Sequence, residues 1–263
     1  MTRQLRKILR KVPGLRSVVI FIKRLLKPNK IYQWQRQPYT ADATSAEMRT
    51  IKVLNVLDYT KTSGEAYAAT KFPAGYHTLI FGEETLDGKR SPQERLAKVP
   101  YDFTDKTILD IGSNQGGMLF ALGGVYRWAV GVDYDYRMVN ASNVIKREFG
   151  VENIDFFVFD IDKDPHELLL DFMPEQKVDM VFLLAVCLWV NSWRELIDRC
   201  AGFSDAMLFE SNGSPESQDE QVAYLKTKYD TVTFLSDQPD SNAEPGQRRF
   251  YFAENTKLED GRE

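Results

Sequence analysis

The chain has 263 residues, of which 43% are hydrophobic and 12% aromatic, and its net charge is -4. This composition excludes an intrinsically disordered chain and suits one large globular domain, or one domain with an appendage. The chain contains only two cysteines, Cys187 and Cys200, and only two histidines, His77 and His166. These counts argue against a disulfide scaffold and against a zinc or multi-histidine metal centre, and they favour a reducing compartment.

Residues 1–41 form a basic arm with eleven Lys or Arg side chains and no acid. The other 23 basic residues of the chain accompany all 38 acidic ones, so the body has a charge of -15. Apolar residues recur at helical spacing on both sides of a break at Pro13-Gly14. The longest apolar run, 18–22, is too short to cross a membrane, which takes roughly 20 residues.

Three interpretations of the basic arm are open. It could be a helix pair lying through residues 1–30 on an anionic membrane surface, a helix docked on the body or a partner, or a targeting segment. The first interpretation predicts a cytoplasmic protein held at the inner face of a membrane. Nucleic acid is a less favoured partner, because the acidic body is a poor match for phosphate.

Residues 42–100 are predicted to form a helical extension, or lid, ahead of the main domain. We expect residues 42–72 to be helical and residues 74–90 to form a short strand and turn. Ser91 and Glu94 frame a capping box with Pro92 at the first helical position, which predicts a helix to about Lys98.

Residues 101–263 show alternating strand and helix patterns, which predict an α/β fold with a doubly wound, seven-stranded, mostly parallel sheet. The final two strands lack a long helix between them, so one of them should run antiparallel. The predicted strands are residues 107–111, 128–133, 154–160, 178–184, 206–210, 231–235 and 249–253. The predicted helices are one after residue 117 and residues 135–149, 165–172, 192–200 and 216–228.

Polar features end three successive predicted strands, at the edge where such sheets bind ligands. A glycine-rich loop runs from Asp110 to Gly117, and its glycines allow a sharp turn and a close approach by a ligand or backbone. Asp133 ends the second strand and could accept hydrogen bonds from both hydroxyls of a ribose. Asp160 ends the third strand, with Ile161 beside it to suit an adenine ring.

Asn114 stands where the dinucleotide fingerprint has its second glycine, so its side chain would crowd a pyrophosphate. The predicted ligand is therefore an adenosine without phosphates, and a nicotinamide-dependent oxidoreductase is disfavoured. The alternative is that Gly112 and Gly116 only make a turn, while Asp133 and Asp160 only cap helices.

Four segments resemble the motifs of class I S-adenosylmethionine-dependent methyltransferases, which have a Rossmann-like fold: ILDIGSNQGG at 108–117, VGVDY at 130–134, FDI at 159–161 and VDMVFLL at 178–184. The resemblance implies S-adenosyl-L-methionine as cofactor. It implies that the methionine half is lined by Asp110, Gly112, Ser113, Asn114 and Gly116. It also implies that Asp133 holds the ribose, that Tyr134 lies beside the adenine, and that Asp160 and Ile161 flank the adenine ring.

The segments 75–79, 88–90 and 95–100 are similar to a narrower group, the methyltransferases akin to tRNA wobble-uridine carboxymethyl enzymes and their relatives near glycan-synthesis genes. The wobble enzymes carry a Tyr-His-Arg cluster after strand four that helps to bind a carboxylated cofactor. Here residues 185–192 read AVCLWVNS and lack that cluster. The sequence therefore favours ordinary S-adenosylmethionine over the carboxylated cofactor and argues against tRNA modification.

Two residues are candidates for catalysis, His77 as a base and Glu210 as a ligand of a substrate hydroxyl. Alternatively, His77 packs the lid onto the sheet, and Glu210 meets Asn212 in a turn. The sequence thus predicts a methyltransferase that methylates an oxygen of a glycan, lipid-linked saccharide or related metabolite. The alternatives are an RNA methyltransferase that grips its substrate with the arm, and a non-catalytic scaffold that keeps the fold.

Overall fold

The structure is a computed structural model that describes residues 35–63 and 66–255. Residues 1–34, and with them the predicted membrane, docking or targeting role of the arm, lie outside the described residues. Within the described ranges, every helix is too short or too polar to reach across a bilayer.

The extension begins with helix α1, Ser45–Thr60, followed by short 3-10 turns at Lys61–Ser63 and Ala66–Ala68. A capping box starts α1, because the Thr44 hydroxyl caps the Glu47 backbone and the Glu47 carboxylate returns to the Thr44 N–H. Buried Val53 and Leu57 fix the face of the helix that packs against the domain. The segment predicted to be helical, 42–72, is therefore an α-helix only over Ser45–Thr60.

Four short strands follow: β1 (Gly75–His77), β2 (Leu79–Phe81), β3 (Glu84–Leu86) and β4 (Gly88–Arg90). β1 pairs in parallel with β4, and β2 forms an antiparallel hairpin with β3. The segment predicted as one short strand and a turn therefore forms two separate two-stranded sheets.

Helix α2, Pro92–Leu96, begins where the sequence predicts but ends two residues before Lys98. Ser91 caps the Glu94 N–H at 3.4 Å. The predicted capping box is wrong in its second half, because the Glu94 carboxylate accepts from the backbone and hydroxyl of Ser241 instead. A long-range partner thus replaces the local one.

The main sheet confirms the predicted α/β architecture, a doubly wound, mostly parallel sheet of seven strands. Its strands are β5 (Thr107–Ile111), β6 (Trp128–Asp133), β7 (Ile154–Val158), β8 (Met180–Leu184), β9 (Ala206–Glu210), β10 (Thr231–Ser236) and β11 (Phe250–Glu254). Their order is β7-β6-β5-β8-β9-β11-β10. As predicted, one of the last two strands is antiparallel: β11 runs against both β9 and β10.

The flanking helices are α3 (Gly117–Ala121), α4 (Tyr136–Phe149), α5 (Trp193–Phe203) and α6 (Pro215–Leu225). Apolar side chains of the central strands are buried on both faces of the sheet, as expected of strands covered by helices on both sides. The strand order reverses between β5 and β8, so the glycine-rich loop after β5 lies at the switch point.

The connection from β7 to β8 departs from the predictions. β7 stops at Val158, and the predicted helix at 165–172 is only a 3-10 turn, His166–Leu169. His166 in this turn is buried, and its ring Nε2 lies 2.9 Å from the Ile161 carbonyl oxygen. This hydrogen bond ties the turn to the preceding loop.

Candidate active site

Several residues of the loop after β5 adopt the left-handed backbone conformation, with positive φ. Gly112 and Gly116 have φ of +79° and +74°, and Asn114 between them has φ of +53°. Glycine adopts this region without steric cost, and asparagine tolerates it better than most residues. A Cβ at Gly112 would also come within 2.8 Å of Val186. The loop geometry therefore accounts for its residue types.

Asp133 clamps this loop to the end of β6. Its Oδ2 accepts from the Asn114 N–H and its Oδ1 from the Asp135 N–H, each at 2.9 Å. Burial raises the pKa of Asp133 to about 6, although these backbone hydrogen bonds lower it. At neutral pH the carboxylate is therefore ionised, and each oxygen keeps lone pairs for ligand hydroxyls.

Asp110 and Ser113 place two polar atoms without protein partners at the same edge. Among the described residues, Asp110 Oδ2 and Ser113 Oγ are buried oxygens with no hydrogen-bond partner. Both residues line a cavity with Gly112. Buried polar groups normally have partners, so these oxygens suit the polar groups of a ligand.

Of the residues predicted around adenine, Tyr134 is 52% exposed, and its hydroxyl lies 2.8 Å from that of Tyr67 in the extension. Tyr67 in turn donates to Asp135 Oδ2 at 2.9 Å. The extension therefore reaches the edge of the sheet where the adenosine was predicted. Tyr67 was missed in the sequence because a lone tyrosine outside a motif gives no signal.

Asp160 and Ile161 lie in the loop that follows β7, and β7 is the strand paired with β6. Asp160 forms an ion pair with Lys163 at 2.6 Å and accepts from the Asp162 N–H, while Ile161 packs against the main core. In the part of the chain that the structure describes, no group of three or more His, Cys, Asp or Glu is placed to hold a metal ion.

Gln115, which the sequence analysis did not single out, fastens the extension to the glycine-rich loop. Its Oε1 accepts from the Tyr76 and His77 N–H groups at 3.1 and 3.4 Å, and its Nε2 donates to the Ala74 carbonyl at 2.9 Å. The side chain is completely buried. A glutamine gives no sequence signal for such a role, because its partners lie in β1 and the residue before it, about 40 residues earlier.

Gly116 and Gly117 were expected to leave room for a ligand or a neighbouring backbone. Instead, protein side chains fill the space: a Cβ at Gly116 would meet the Phe156 ring at 2.5 Å, and one at Gly117 would meet His77 Cβ at 2.3 Å. Close packing explains the absence of side chains at these two positions.

His77 is buried against the loop. Burial, together with Arg95, Arg90 and Arg248, lowers the pKa of His77 to about 3, so the ring is neutral at pH 7. Its Nδ1 has no hydrogen-bond partner, and the residue lines the cavity with Asp110. His77 thus packs the extension onto the sheet, with its partnerless Nδ1 close to Gly117.

Glu210 is held between two arginines and is only 1% exposed. One carboxylate oxygen accepts from Arg248 Nη1 at 3.0 Å, and the other forms an ion pair with Arg95. Arg248 Nη1 also donates to the Tyr76 hydroxyl at 2.8 Å. Asn212 instead contacts the 185–188 loop, accepting from the Leu188 N–H at 2.9 Å. The sequence analysis missed both arginines.

The cavity between the extension and the loop is small, about 20 Å³. This is room for about one water molecule. Tyr76, His77 and Arg95 of the extension line one side of it, while Asp110 and Ser113 line the other. A ligand larger than water can therefore enter this cavity only if the extension or its side chains move.

Asp110 should make stability depend on pH. Burial raises its pKa to about 8, although Arg95 lowers it. Between about pH 4 and 8 the folded protein keeps a proton that the unfolded chain has lost, so the free energy of unfolding falls as pH rises. The expected contribution is up to about 1.4 kcal/mol per pH unit.

Urea denaturation of wild type and Asp110→Asn at pH 5.5, 6.5 and 7.5 checks this. The free energy of unfolding of Asp110→Asn should fall less with pH than that of wild type. Asp155→Asn, which changes a carboxylate in β7, should behave as wild type. Parallel pH profiles for wild type and Asp110→Asn would contradict the assignment.

No protein-family model matches the chain, and neither does any curated protein. Solved structures resemble it at low identity. The N-terminal domain of EvdMO1 with SAH bound is 12% identical, with a TM-score of 0.49 over 62% of this chain and 81% of that one. Precorrin-6y C5,15-methyltransferase from Geobacter metallireducens GS-15 is 13% identical, with a TM-score of 0.48 over 63% and 87%. An rRNA methylase from Streptococcus thermophilus is 15% identical, with a TM-score of 0.45 over 62% and 93%.

Proposed function

We propose that the chain is an S-adenosyl-L-methionine-dependent methyltransferase that methylates an oxygen of a glycan, lipid-linked saccharide or related metabolite. The observation that carries the proposal is the arrangement at the switch point. The ionised Asp133 is the last residue of β6. At the end of the neighbouring β5, Asp110 and Ser113 each have a buried oxygen without a hydrogen-bond partner. Such a set suits the ribose and the polar methionine end of one ligand.

We assign the predicted residues to the cofactor as follows. Asp110, Gly112, Ser113 and Asn114 would hold the methionine half, whereas Gly116 packs against Phe156 and is not assigned to the ligand. Asp133 would accept from the ribose hydroxyls, and Tyr134, Asp160 and Ile161 would border the adenine. A ligand ammonium beside Asp110 would favour loss of the proton that burial keeps on its carboxyl group. When bound, the cofactor supplies an electrophilic methyl group on a sulfonium.

The protein's own part is to position the acceptor and to exclude water. His77 is the proposed base for an acceptor hydroxyl. Its pKa of about 3 makes the ring a weak base in this state, so proton transfer requires a bound anion or a movement of the extension that raises that pKa. Glu210 has both oxygens occupied by arginines, so we assign it a positioning role rather than that of a base.

The basic arm supports a location at the cytoplasmic face of an anionic membrane, where lipid-linked acceptors would be within reach. The same eleven basic residues also favour the second candidate function, an RNA methyltransferase that uses the arm as its grip. The acidic body supports the first function over the second.

Calorimetry with S-adenosylmethionine, and with NADH as the matched control, tests the cofactor. We expect saturable binding of the first and none of the second, since Asn114 crowds a pyrophosphate. Absence of S-adenosylmethionine binding by the folded protein would leave only a scaffold.

Transfer of a labelled methyl group to lipid, saccharide and RNA pools from fractionated cells tests the acceptor. We expect label in the lipid or saccharide pool. Label confined to RNA, together with tRNA binding that weakens steeply with salt, would establish the rival function.

A further inference from the structure

We propose that the acceptor carries an acidic group, a carboxylate or a phosphate, and that Arg95 and Arg248 bind it beside the cofactor site. The identity of the acceptor rests on the proposed function. The anion site itself rests on the geometry of the arginines and can be tested without turnover.

The first argument is charge. Three arginines, Arg90, Arg95 and Arg248, converge behind the cavity, and two carboxylates balance them. Arg90 pairs with buried Asp240 at 3.4 Å, and Glu210 bridges the other two arginines. The three arginines therefore carry one positive charge more than the two carboxylates that pair with them. An isolated buried charge is costly, and an anionic ligand would offset it.

The second argument is unused donors. Arg95 is 2% exposed and lines the cavity, and its Nε has no hydrogen-bond partner. Burial lowers the pKa of Arg95 only to about 10, so the guanidinium is charged at pH 7. Leaving a buried charged donor unsatisfied is unfavourable. The planar fork of arginine matches the oxygens of a carboxylate or phosphate.

The third argument is position. Arg95 and Arg248 line the same cavity as Asp110, Gly112 and Ser113, where the methionine end of the cofactor is proposed. Once the extension or its side chains move to admit ligands larger than water, an acidic group held by the arginines would place its own molecule next to the methyl group. It would also offset the arginine charges that lower the pKa of His77, which makes the ring more basic when the acceptor is present.

The competing explanation is that these arginines are structural links between the extension and the main domain. Arg90 and Arg95 belong to the extension, while Asp240 and Glu210 belong to the main domain. Structural links have their partners already and should not respond to added anions. Anion titration therefore separates the two explanations.

The experiment uses the full chain with isotope-labelled histidine, observed by NMR at pH 7. With only two histidines, His166 serves as an internal control. Inorganic phosphate and acetate are titrated separately against chloride at constant ionic strength. We expect a saturable shift of the His77 ring resonances with phosphate, acetate or both, and none for His166. The stronger of the two probes identifies the acid class. No saturable response to either probe would overturn the proposal.

Arg248→Gln should weaken the binding of the responding anion about tenfold or more. Arg249→Gln is the matched control, because Arg249 is the next residue yet pairs with Asp219 on the surface. Equal anion affinity in the two variants would also overturn the proposal, and the wild-type titration decides the matter if Arg248→Gln does not fold. Calorimetry with S-adenosylmethionine is run on the same samples. Cofactor binding without an anion response rejects the anion site alone. An anion response without cofactor binding rejects the proposed function and retains the anion site.

Discussion

Replacing Asp133 with alanine is expected to abolish measurable binding of S-adenosylmethionine. The change removes the acceptor proposed for the ribose hydroxyls, and hydrogen bonds to a charged group contribute about 1.5–3 kcal/mol each. It also leaves the buried Asn114 and Asp135 N–H groups without their acceptor, which releases the glycine-rich loop from β6. Together these losses correspond to an affinity decrease of at least about 100-fold.

Calorimetry with S-adenosylmethionine and thermal unfolding without it check this prediction. Asp155→Ala is a suitable control, because Asp155 lies on the neighbouring strand β7 and pairs with Lys146 away from the loop. A folded Asp133→Ala protein that binds the cofactor as tightly as wild type would contradict the proposed ribose site. Below about pH 6, protonation of Asp133 should weaken wild-type binding in the same direction.

Replacing Gly88 with alanine is expected to displace the extension from the sheet. A Cβ at this position would lie 2.1 Å from the carbonyl carbon of His77 and 2.3 Å from the Thr78 nitrogen. Because these are backbone atoms at the C-terminal end of β1, no side-chain rotation can relieve the contact. Overpacking of this kind costs about 3 kcal/mol.

Urea denaturation and the ring resonances of His77 measure the effect. We expect a large loss of stability and a changed environment for His77, whose ring packs on Gly117. Gly202→Ala in α5 is the matched control, since its Cβ would meet nothing within 4 Å. Alanine in that helix should be neutral or stabilise by up to about 1 kcal/mol. Equal stability of the Gly88 and Gly202 variants would show that β1 and β4 are not held in contact.

The strands that were predicted most accurately are those with continuous apolar runs. β5, β6 and β9 have the predicted bounds because they are buried on both faces, where hydrophobicity alone decides the structure. The 165–172 segment was predicted less well. Its leucines suggest a helix, whereas the structure has only the 3-10 turn His166–Leu169.

The sequence by itself determined the sheet and the place of the candidate site, because strand periodicity and strand-end acids are local signals. Only the tertiary structure decided what faces that site. Arg95, Glu210 and Arg248 are separated by dozens of residues or more, and a charged residue in a sequence normally predicts exposure. Burial of an ion pair depends on partners that the fold brings together, so no local pattern reports it.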